Sequence, residues 1–345
     1  MPVPSATAAR PPASGFSAAP GPLRDRFGRI ITDTRISITD RCNYRCVYCR
    51  EGGEEAGQAG RELSWDDWRQ VLLVLRRLGI RKLRFTGGEP LLRRGLIEFI
   101  ASLAPLGFED LALTTNGHLL AAQAAELRRA GLQRITVSLD SVQPEKFARI
   151  ARVPGAWERV RDGIAAAQTA GLEPVKINAV LLRGFNDDEI EAFAEFARRQ
   201  RVVVRFIEFM PLEEGRLWTP EIVVTMREIL ERLQARYRLE SLPVEGGETA
   251  RRFRFADGSP GEIGIIAPVT QPFCGHCSRI RLTADGKLRT CLFSLREWPL
   301  AAALRAGGEE LEALVRRAVA HKEERHHIGE PGFQRPSRTM VHIGG

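Results

Sequence analysis

Residues 35–49, RISITDRCNYRCVYC, decide the fold of this chain because they join a short apolar alternation to three closely spaced cysteines. Cys42, Cys46 and Cys49 follow the spacing C-x3-C-x2-C directly after the strand-like run 36–38. Three thiolates from one loop can hold three irons of a 4Fe–4S cubane and leave the fourth iron open to a small molecule. A zinc site would usually need a fourth ligand nearby, and the neighbouring sequence supplies no further Cys or His.

Outside this loop, the chain alternates short apolar runs with longer helical patterns. Helices are predicted at roughly 96–105, 119–131, 157–171 and 187–200, and Ser64 with Asp67 forms a capping box ahead of another helix. Strands are predicted at 35–39, 82–86, 111–117, 134–140, 175–180 and 202–208. Six such units predict an α/β fold, an incomplete (βα)6 TIM-like barrel whose site lies at the strand ends.

Three regions follow from composition and periodicity. Residues 1–29 are rich in Ala, Pro, Ser and Gly and are predicted to be a disordered extension. Residues 30–220 are predicted to form the partial barrel. The regularity changes after that, so residues 221–345 are predicted to be a C-terminal region that closes the open side of the barrel.

The overall charge and the cysteine content narrow the function classes. The chain has 345 residues and a formal net charge of +8, which favours anionic partners such as nucleic acid, acidic lipid or a nucleotide triphosphate. No apolar run reaches the length of a membrane span, so we expect no membrane partner. Thiolate metal ligands suit a reducing compartment, which predicts a cytoplasmic protein.

Gly87-Gly88-Glu89-Pro90 follows the second predicted strand. Two glycines let backbone approach a ligand closely, and their peptide groups can bind the ends of a zwitterion. An ordinary turn between strand and helix would also explain the motif if it stood alone. Because the motif lies one βα unit after the cysteine loop, we favour the interpretation that it binds a ligand.

A second cysteine triplet, Cys274, Cys277 and Cys291, lies far from the first in sequence. It predicts a second cluster that again has one iron free of cysteine. Zinc completed by His276 is the alternative, although His276 lies inside the gap between two of the cysteines.

Together these features resemble the GTP 3′,8-cyclases (molybdenum cofactor biosynthesis protein A), a family of radical S-adenosylmethionine (SAM) enzymes. The resemblance covers about residues 30–345. It rests on the order of the segments 35–40, 84–90, 113–117, 137–140, 175–178, 205–210, 261–264, 273–282 and 343–345.

The resemblance implies two 4Fe–4S clusters, one on each cysteine triplet, and SAM as cofactor. SAM contacts are then expected at Tyr48, Gly88, Ser138 and Met210. GTP contacts are expected at Arg35, Arg84, Thr114, Lys176, Arg279, Ile280 and Arg281. The terminal Gly344 and Gly345 are expected to enter the active site and to be needed for catalysis.

The implied reaction is cleavage of SAM to methionine and a 5′-deoxyadenosyl radical, followed by cyclisation of GTP in the first step of molybdenum cofactor biosynthesis. The implied partners are a flavodoxin- or ferredoxin-type electron donor and a downstream cyclic pyranopterin monophosphate synthase, with a homodimer as a further expectation and no nucleic acid. Two alternatives remain at this stage: another radical SAM enzyme with an auxiliary cluster, and a zinc-stabilised nucleic-acid-binding protein.

Overall fold

A computed structural model describes residues 21–49, 62–213, 215, 217–244 and 246–344. The first half of the chain forms six parallel strands that lie side by side in chain order. They are β1 Asp33–Ser37, β2 Lys82–Thr86, β3 Asp110–Thr115, β4 Arg134–Ser138, β5 Lys176–Leu181 and β6 Val203–Glu208. The six strands of the predicted incomplete barrel are therefore confirmed.

Helices connect these strands. They are α1 Trp65–Arg77, α2 Leu96–Ser102, α3 Leu120–Arg129, α4 Pro144–Ala151, α5 Ala156–Thr169 and α6 Ile190–Gln200, with 3-10 turns at Pro90–Leu92, Ala104–Leu106 and Asp187–Glu189. Helix α1 begins at the predicted capping box, in which the Ser64 hydroxyl and the Asp67 carboxylate each accept the other residue's backbone N–H. Helix α4 was not predicted; it begins with Pro144 at its first turn.

The C-terminal region adds six strands and four helices to the described part of the chain. The strands are β7 Leu239–Ser241, β8 Arg251–Phe255, β9 Glu262–Ile266, β10 Arg279–Leu282, β11 Lys287–Arg289 and β12 Trp298–Pro299. The helices are α7 Met226–Gln234, α8 Ala301–Ala306, α9 Gly308–Ala320 and α10 Met340–Ile343, with 3-10 turns at Pro220–Ile222 and Cys274–His276.

This region extends the barrel sheet at both of its edges. Strand β9 lies parallel beside β6, and β10 lies parallel beside β1, so eight parallel strands follow one another. Beyond them β8 and β7 continue one edge, and β11 and β12 the other, in antiparallel pairing. The α/β fold with an incomplete barrel is confirmed. The C-terminal region was expected to close the open side, and it instead adds strands at both edges of a sheet that stays open.

The prediction of disorder over residues 1–29 is wrong for residues 21–29. Leu23 is 1% exposed, its amide donates to the carbonyl of Leu78, and Arg24 forms a β-bridge with Ile30. One buried leucine and these backbone hydrogen bonds outweigh the unfavourable average composition of the segment. Residues 1–20 lie outside the described residues.

The main core fills the space between the parallel strands and their helices. Trp68 of α1, Phe85 of β2 and Phe193 of α6 are among its largest fully buried side chains. Among the helices that the structure describes, none has both the length and the apolar character needed to span a bilayer.

Candidate active site

The first cysteine loop leaves the end of β1 and is held against the turn that follows β2. The amide of Gly88 donates to the carbonyl of Thr39, at 2.8 Å, and the amide of Glu89 donates to the carbonyl of Arg41, at 2.7 Å. A Cβ atom on Gly87 or Gly88 would overlap the carbonyl oxygens of Thr39 and Arg41, respectively. The two glycines therefore allow the cysteine loop to approach the second strand, a role that the motif alone did not reveal.

Both cysteine triplets line one cavity of about 280 Å³, here called the cluster cavity. Cys42, Cys46 and Cys49 lie on the barrel side of this cavity. The expected SAM contacts Tyr48, Gly88, Ser138 and Met210 all line it, as do the expected GTP contacts Arg35, Thr114, Arg279 and Arg281. The C-terminal triplet, Cys274, Cys277 and Cys291, completes its lining.

Asp140 fixes Tyr48 inside the cluster cavity. The Tyr48 hydroxyl donates to one carboxylate oxygen of Asp140 at 2.5 Å, and the amide of Val180 donates to the other at 2.9 Å. Burial raises the pKa of Asp140 to about 6. The sequence analysis included Asp140 in a strand motif but gave it no role. Its position two residues after Ser138 on the same face was the available signal.

A second, strongly basic cavity of about 150 Å³ lies at the opposite ends of the strands and is here called the basic cavity. It gathers four of the expected GTP contacts, Arg35, Arg84, Lys176 and Arg279. Its lining also includes residues that the sequence analysis missed: Lys82, Arg134, Arg205, Arg252 and the loop 246–250. The two cavities share Arg35, Arg205, Thr249 and Arg279, so they adjoin within the barrel.

Arg205 was detectable as the one charged residue inside the apolar run 202–207. Its guanidinium donates to Asn178 at 2.9 Å and to the Thr136 hydroxyl at 3.2 Å, and Arg84 donates to the same hydroxyl at 3.0 Å. Thr114 is weakly connected to this network, at 3.5 Å from Arg84. Neutral acceptors thus hold the arginines in place and leave their charges available to an anion.

Burial and the crowding of like charges lower the pKa values of basic side chains that line the basic cavity. Burial, assisted by the nearby positive charges of Arg205 and Arg134, lowers the pKa of Lys176 to about 7. Burial also lowers the pKa of Arg84 to about 10, again assisted by Arg134. A bound polyanion would relieve both effects.

The strand β10 places its arginines and its isoleucine on opposite faces. Arg279 and Arg281 lie beside Asp33 and Arg35 in the register with β1 and line the cluster cavity. Ile280 is fully buried in the core and lines neither cavity, so the structure does not bring its side chain to the site.

The second triplet lies in a positively charged environment. Burial alone would raise the pKa of Cys277, but Arg279 and Lys322 outweigh it and lower the pKa to about 7. Burial raises the pKa of Cys291 to about 11, and Lys322 opposes the shift. His276, which the zinc alternative needs as a ligand, is exposed and does not line the cavity. Three cysteines near the positive charges of Arg279 and Lys322 fit an anionic iron–sulfur cluster.

The C-terminal tail enters the same site. The Arg281 guanidinium donates to the carbonyl of Ile343, at 3.1 Å, and to that of Gly344. Gly344 has a φ of +70°, and a Cβ atom there would overlap the Thr86 hydroxyl, so a side chain would not fit. Gly345 lies outside the described residues.

Comparison with known proteins identifies the family to which the chain is related. A radical SAM superfamily model matches residues 36–197, and a model described as Molybdenum Cofactor Synthesis C matches residues 202–328. A protein of Rhodopirellula baltica named GTP 3′,8-cyclase is 44% identical over 331 residues, which is 94% of this chain and 92% of that protein. One of the same name from Xanthomonas axonopodis pv. citri is 43% identical over 332 residues, 94% of this chain and 99% of the relative.

Among solved structures, SuiB of Streptococcus suis bound to S-adenosylmethionine is similar in fold, with a TM-score of 0.56 at 12% identity. The match covers 76% of this chain and 60% of SuiB, so the chain spans less than two thirds of that protein. At this level of identity the likeness supports the fold only.

Proposed function

The chain belongs to the GTP 3′,8-cyclase family, and from this membership we propose that its cavities bind SAM and GTP and cyclise the nucleotide. The product is (8S)-3′,8-cyclo-7,8-dihydroguanosine 5′-triphosphate, the first intermediate of molybdenum cofactor biosynthesis, and SAM is cleaved to methionine and 5′-deoxyadenosine. The observation that carries the proposal is that both cysteine triplets and every expected SAM and GTP contact except Ile280 line two adjoining cavities.

We assign the SAM half of the site to the barrel. Cys42, Cys46 and Cys49 would hold a 4Fe–4S cluster, which when reduced supplies the electron that cleaves SAM. Tyr48, fixed by its hydrogen bond to Asp140, would orient SAM together with the backbone of Gly88, Ser138 and Met210. The largely apolar surroundings keep water away from the reacting groups.

We assign the triphosphate to the basic cavity. Arg84 and Lys176 line that cavity alone, whereas Arg35 and Arg279 line both cavities. Guanidinium groups bind phosphate oxygens in a forked geometry, and a lysine adds a point charge. Phosphates held there would leave the nucleoside pointing toward the cluster cavity, where Cys274, Cys277 and Cys291 would hold the second cluster.

The tail has its own assignment. Gly344 lies against Thr86 and is held by Arg281, which is itself an expected GTP contact. We propose that Gly344 and Gly345 help to close the site around the substrates, because residues without side chains can enter a crowded cavity.

The cellular setting is also proposed. A flavodoxin- or ferredoxin-type protein would supply the electron, and a cyclic pyranopterin monophosphate synthase would consume the product. All six cysteines are described and none forms a disulfide, which supports a reducing, cytoplasmic location. A homodimer remains a prediction, as does the division into a barrel ending near residue 220 and a C-terminal region.

The test is an anaerobic assay of reconstituted full-length chain with dithionite, SAM and GTP, in which 5′-deoxyadenosine is quantified. We expect its formation to depend on GTP and not to be supported by ATP. Arg279→Ala should weaken GTP binding by at least tenfold and leave the iron on the first triplet unchanged, since Arg279 lines the nucleotide side.

Arg305→Ala, on helix α8, is the matched control and should behave as the parent chain. Formation of 5′-deoxyadenosine at the same rate without GTP would contradict the cyclase assignment. Zinc in place of iron after anaerobic purification would contradict the radical mechanism as a whole.

A further inference from the structure

Lys322 is a buried lysine whose hydrogen-bond partners carry no charge. It follows helix α9 and is 2% exposed. Its ammonium donates to the backbone carbonyl of Arg279, at 3.0 Å, and to that of Thr290. A buried ammonium is expensive unless a negative group compensates it, and neutral carbonyls satisfy its hydrogen bonds without neutralising its charge.

Both carbonyls belong to the segments that carry the second cysteine triplet. Arg279 lies two residues after Cys277, and Thr290 immediately precedes Cys291. Lys322 is therefore hydrogen-bonded to the segments of both Cys277 and Cys291, which lie in different turns of the chain.

Arg29 ties the remaining cysteine to the same place. Its guanidinium donates to the carbonyl of Cys274 at 2.7 Å, and to the carbonyls of Glu323 and Glu324 at 2.5 and 2.8 Å. Arg29 is itself buried and paired with Asp25. Residues 322–324, here called the strap, are thus fastened to the backbone of all three cysteine segments.

The charge that these contacts place beside the triplet has the sign that a cluster needs. Three thiolates make a cysteine-bound cubane anionic, and in a buried site that negative charge is destabilised unless a cation lies close. The Lys322 ammonium is hydrogen-bonded to the carbonyl two residues after Cys277 and to the carbonyl directly before Cys291, so its positive charge lies beside both cysteines. Lys322 and an anionic cluster would therefore compensate each other's charge.

We propose that Lys322 is a positioning residue of the second cluster, which compensates the negative charge of that cluster and thereby sets its reduction potential. The inference rests on the proposed assignment of this cluster to Cys274, Cys277 and Cys291. Reduction adds one electron, so a fixed positive charge nearby favours the reduced form, and its removal disfavours it.

The experiment uses the full-length chain with Cys42, Cys46 and Cys49 changed to Ser, so that only the second cluster is reconstituted. Its midpoint potential is followed by anaerobic spectroscopic titration, together with iron and sulfide content. Lys322→Met keeps the side-chain length and removes the charge. We expect at least a tenfold fall in the ratio of reduced to oxidised cluster at a given potential, a shift of about 59 mV to more negative values.

Two variants isolate the effect of charge. Lys322→Arg retains the charge and should keep a midpoint close to that of the parent. Lys287→Met makes the same substitution in β11, where the lysine is paired with Glu297, and should shift the ratio less than twofold. If Lys322→Met does not fold by circular dichroism, Lys322→Gln replaces it with a polar side chain, and the same shift is expected.

The outcomes separate this inference from the proposed function. A parent chain that binds no iron would show that the second cluster is wrongly assigned, and both would fail. A parent with a cluster whose midpoint is unchanged by Lys322→Met would overturn only the role of Lys322. An equal shift in Lys322→Arg would also overturn it, since packing and not charge would then be responsible.

Discussion

At the scale of single residues, the basic cavity brings several buried cationic side chains close together. Their mutual repulsion is unfavourable in the free chain and would be relieved by a bound anion. Lys176, Arg84 and Arg205 face one another across a small volume, and each has its pKa lowered by burial. Arginine stays protonated despite such shifts, but lysine at a pKa of about 7 does not. Lys176 is therefore the member of the group whose charge depends on pH near neutrality.

We predict that triphosphate binding takes up a proton at Lys176. In the free chain the amine is mostly neutral above pH 7, and the bound anion favours its charged form, so affinity for GTP should fall by up to tenfold per pH unit above 7. Calorimetry at pH 8 in buffers of different ionisation enthalpy measures this uptake. Lys176→Arg should bind GTP without proton uptake, and an unchanged uptake in that variant would contradict the assignment.

At the scale of elements, the position of the first cysteine loop depends on its close contact with the turn after β2. The glycine pair looked like a ligand-binding feature in the sequence, but in the structure the amides of Gly88 and Glu89 donate to carbonyls of the cysteine loop. The loop itself has no regular structure, and backbone hydrogen bonds hold it from two sides. One side is this turn, and the other is the end of α4, where Ile150 and Ala151 accept from the loop amides. Strand order and most strand boundaries were predictable from local periodicity, whereas this packing depends on two distant segments.

Gly88→Ala should displace the first cysteine loop. The added methyl would meet the Arg41 carbonyl, which is backbone and cannot rotate away, at a cost of about 1–3 kcal/mol. We expect iron bound to the first triplet to fall and iron bound to the second to be retained, measured as iron per chain before and after removal of the second triplet by mutation.

Gly275→Ala is the matched control, because Gly275 lies within the second cysteine segment and has open space around its Cα. It should retain the iron of both triplets. Full iron on the first triplet in Gly88→Ala would show that the loop does not depend on this close approach.

At the scale of the whole molecule, the segment before β1 and the strap meet beside the second cysteine triplet. Residues 21–32 pair with the main body through Leu78 and Ser278, and Arg29 reaches the strap. The barrel and the C-terminal strands share one continuous sheet, and the segment before β1 is hydrogen-bonded to this body. Composition alone predicted disorder for residues 1–29, because it averages the packed residues 21–29 together with the Ala- and Pro-rich residues before them.

Leu23→Ala tests whether this anchor contributes to stability. Removing a buried leucine side chain should lower the free energy of unfolding by about 2–5 kcal/mol, measured by urea denaturation of the reduced, cluster-free chain. Leu295→Ala, in which the leucine is 60% exposed, should change it by less than about 0.5 kcal/mol. Equal, small effects of the two substitutions would show that residues 21–29 are not part of the folded unit.

The sequence by itself determined what short spacings and local periods can express: two cysteine triplets, the glycine pair and six β/α units in order. Only the tertiary structure decided that β9 and β10 extend opposite edges of the barrel, and that Asp140, Arg205 and Lys322 lie in or beside the site. Those residues gain their roles from burial and from partners distant in the chain. The local sequence pattern shows neither the burial nor the distant partners, because desolvation and long-range pairing arise only when the chain folds.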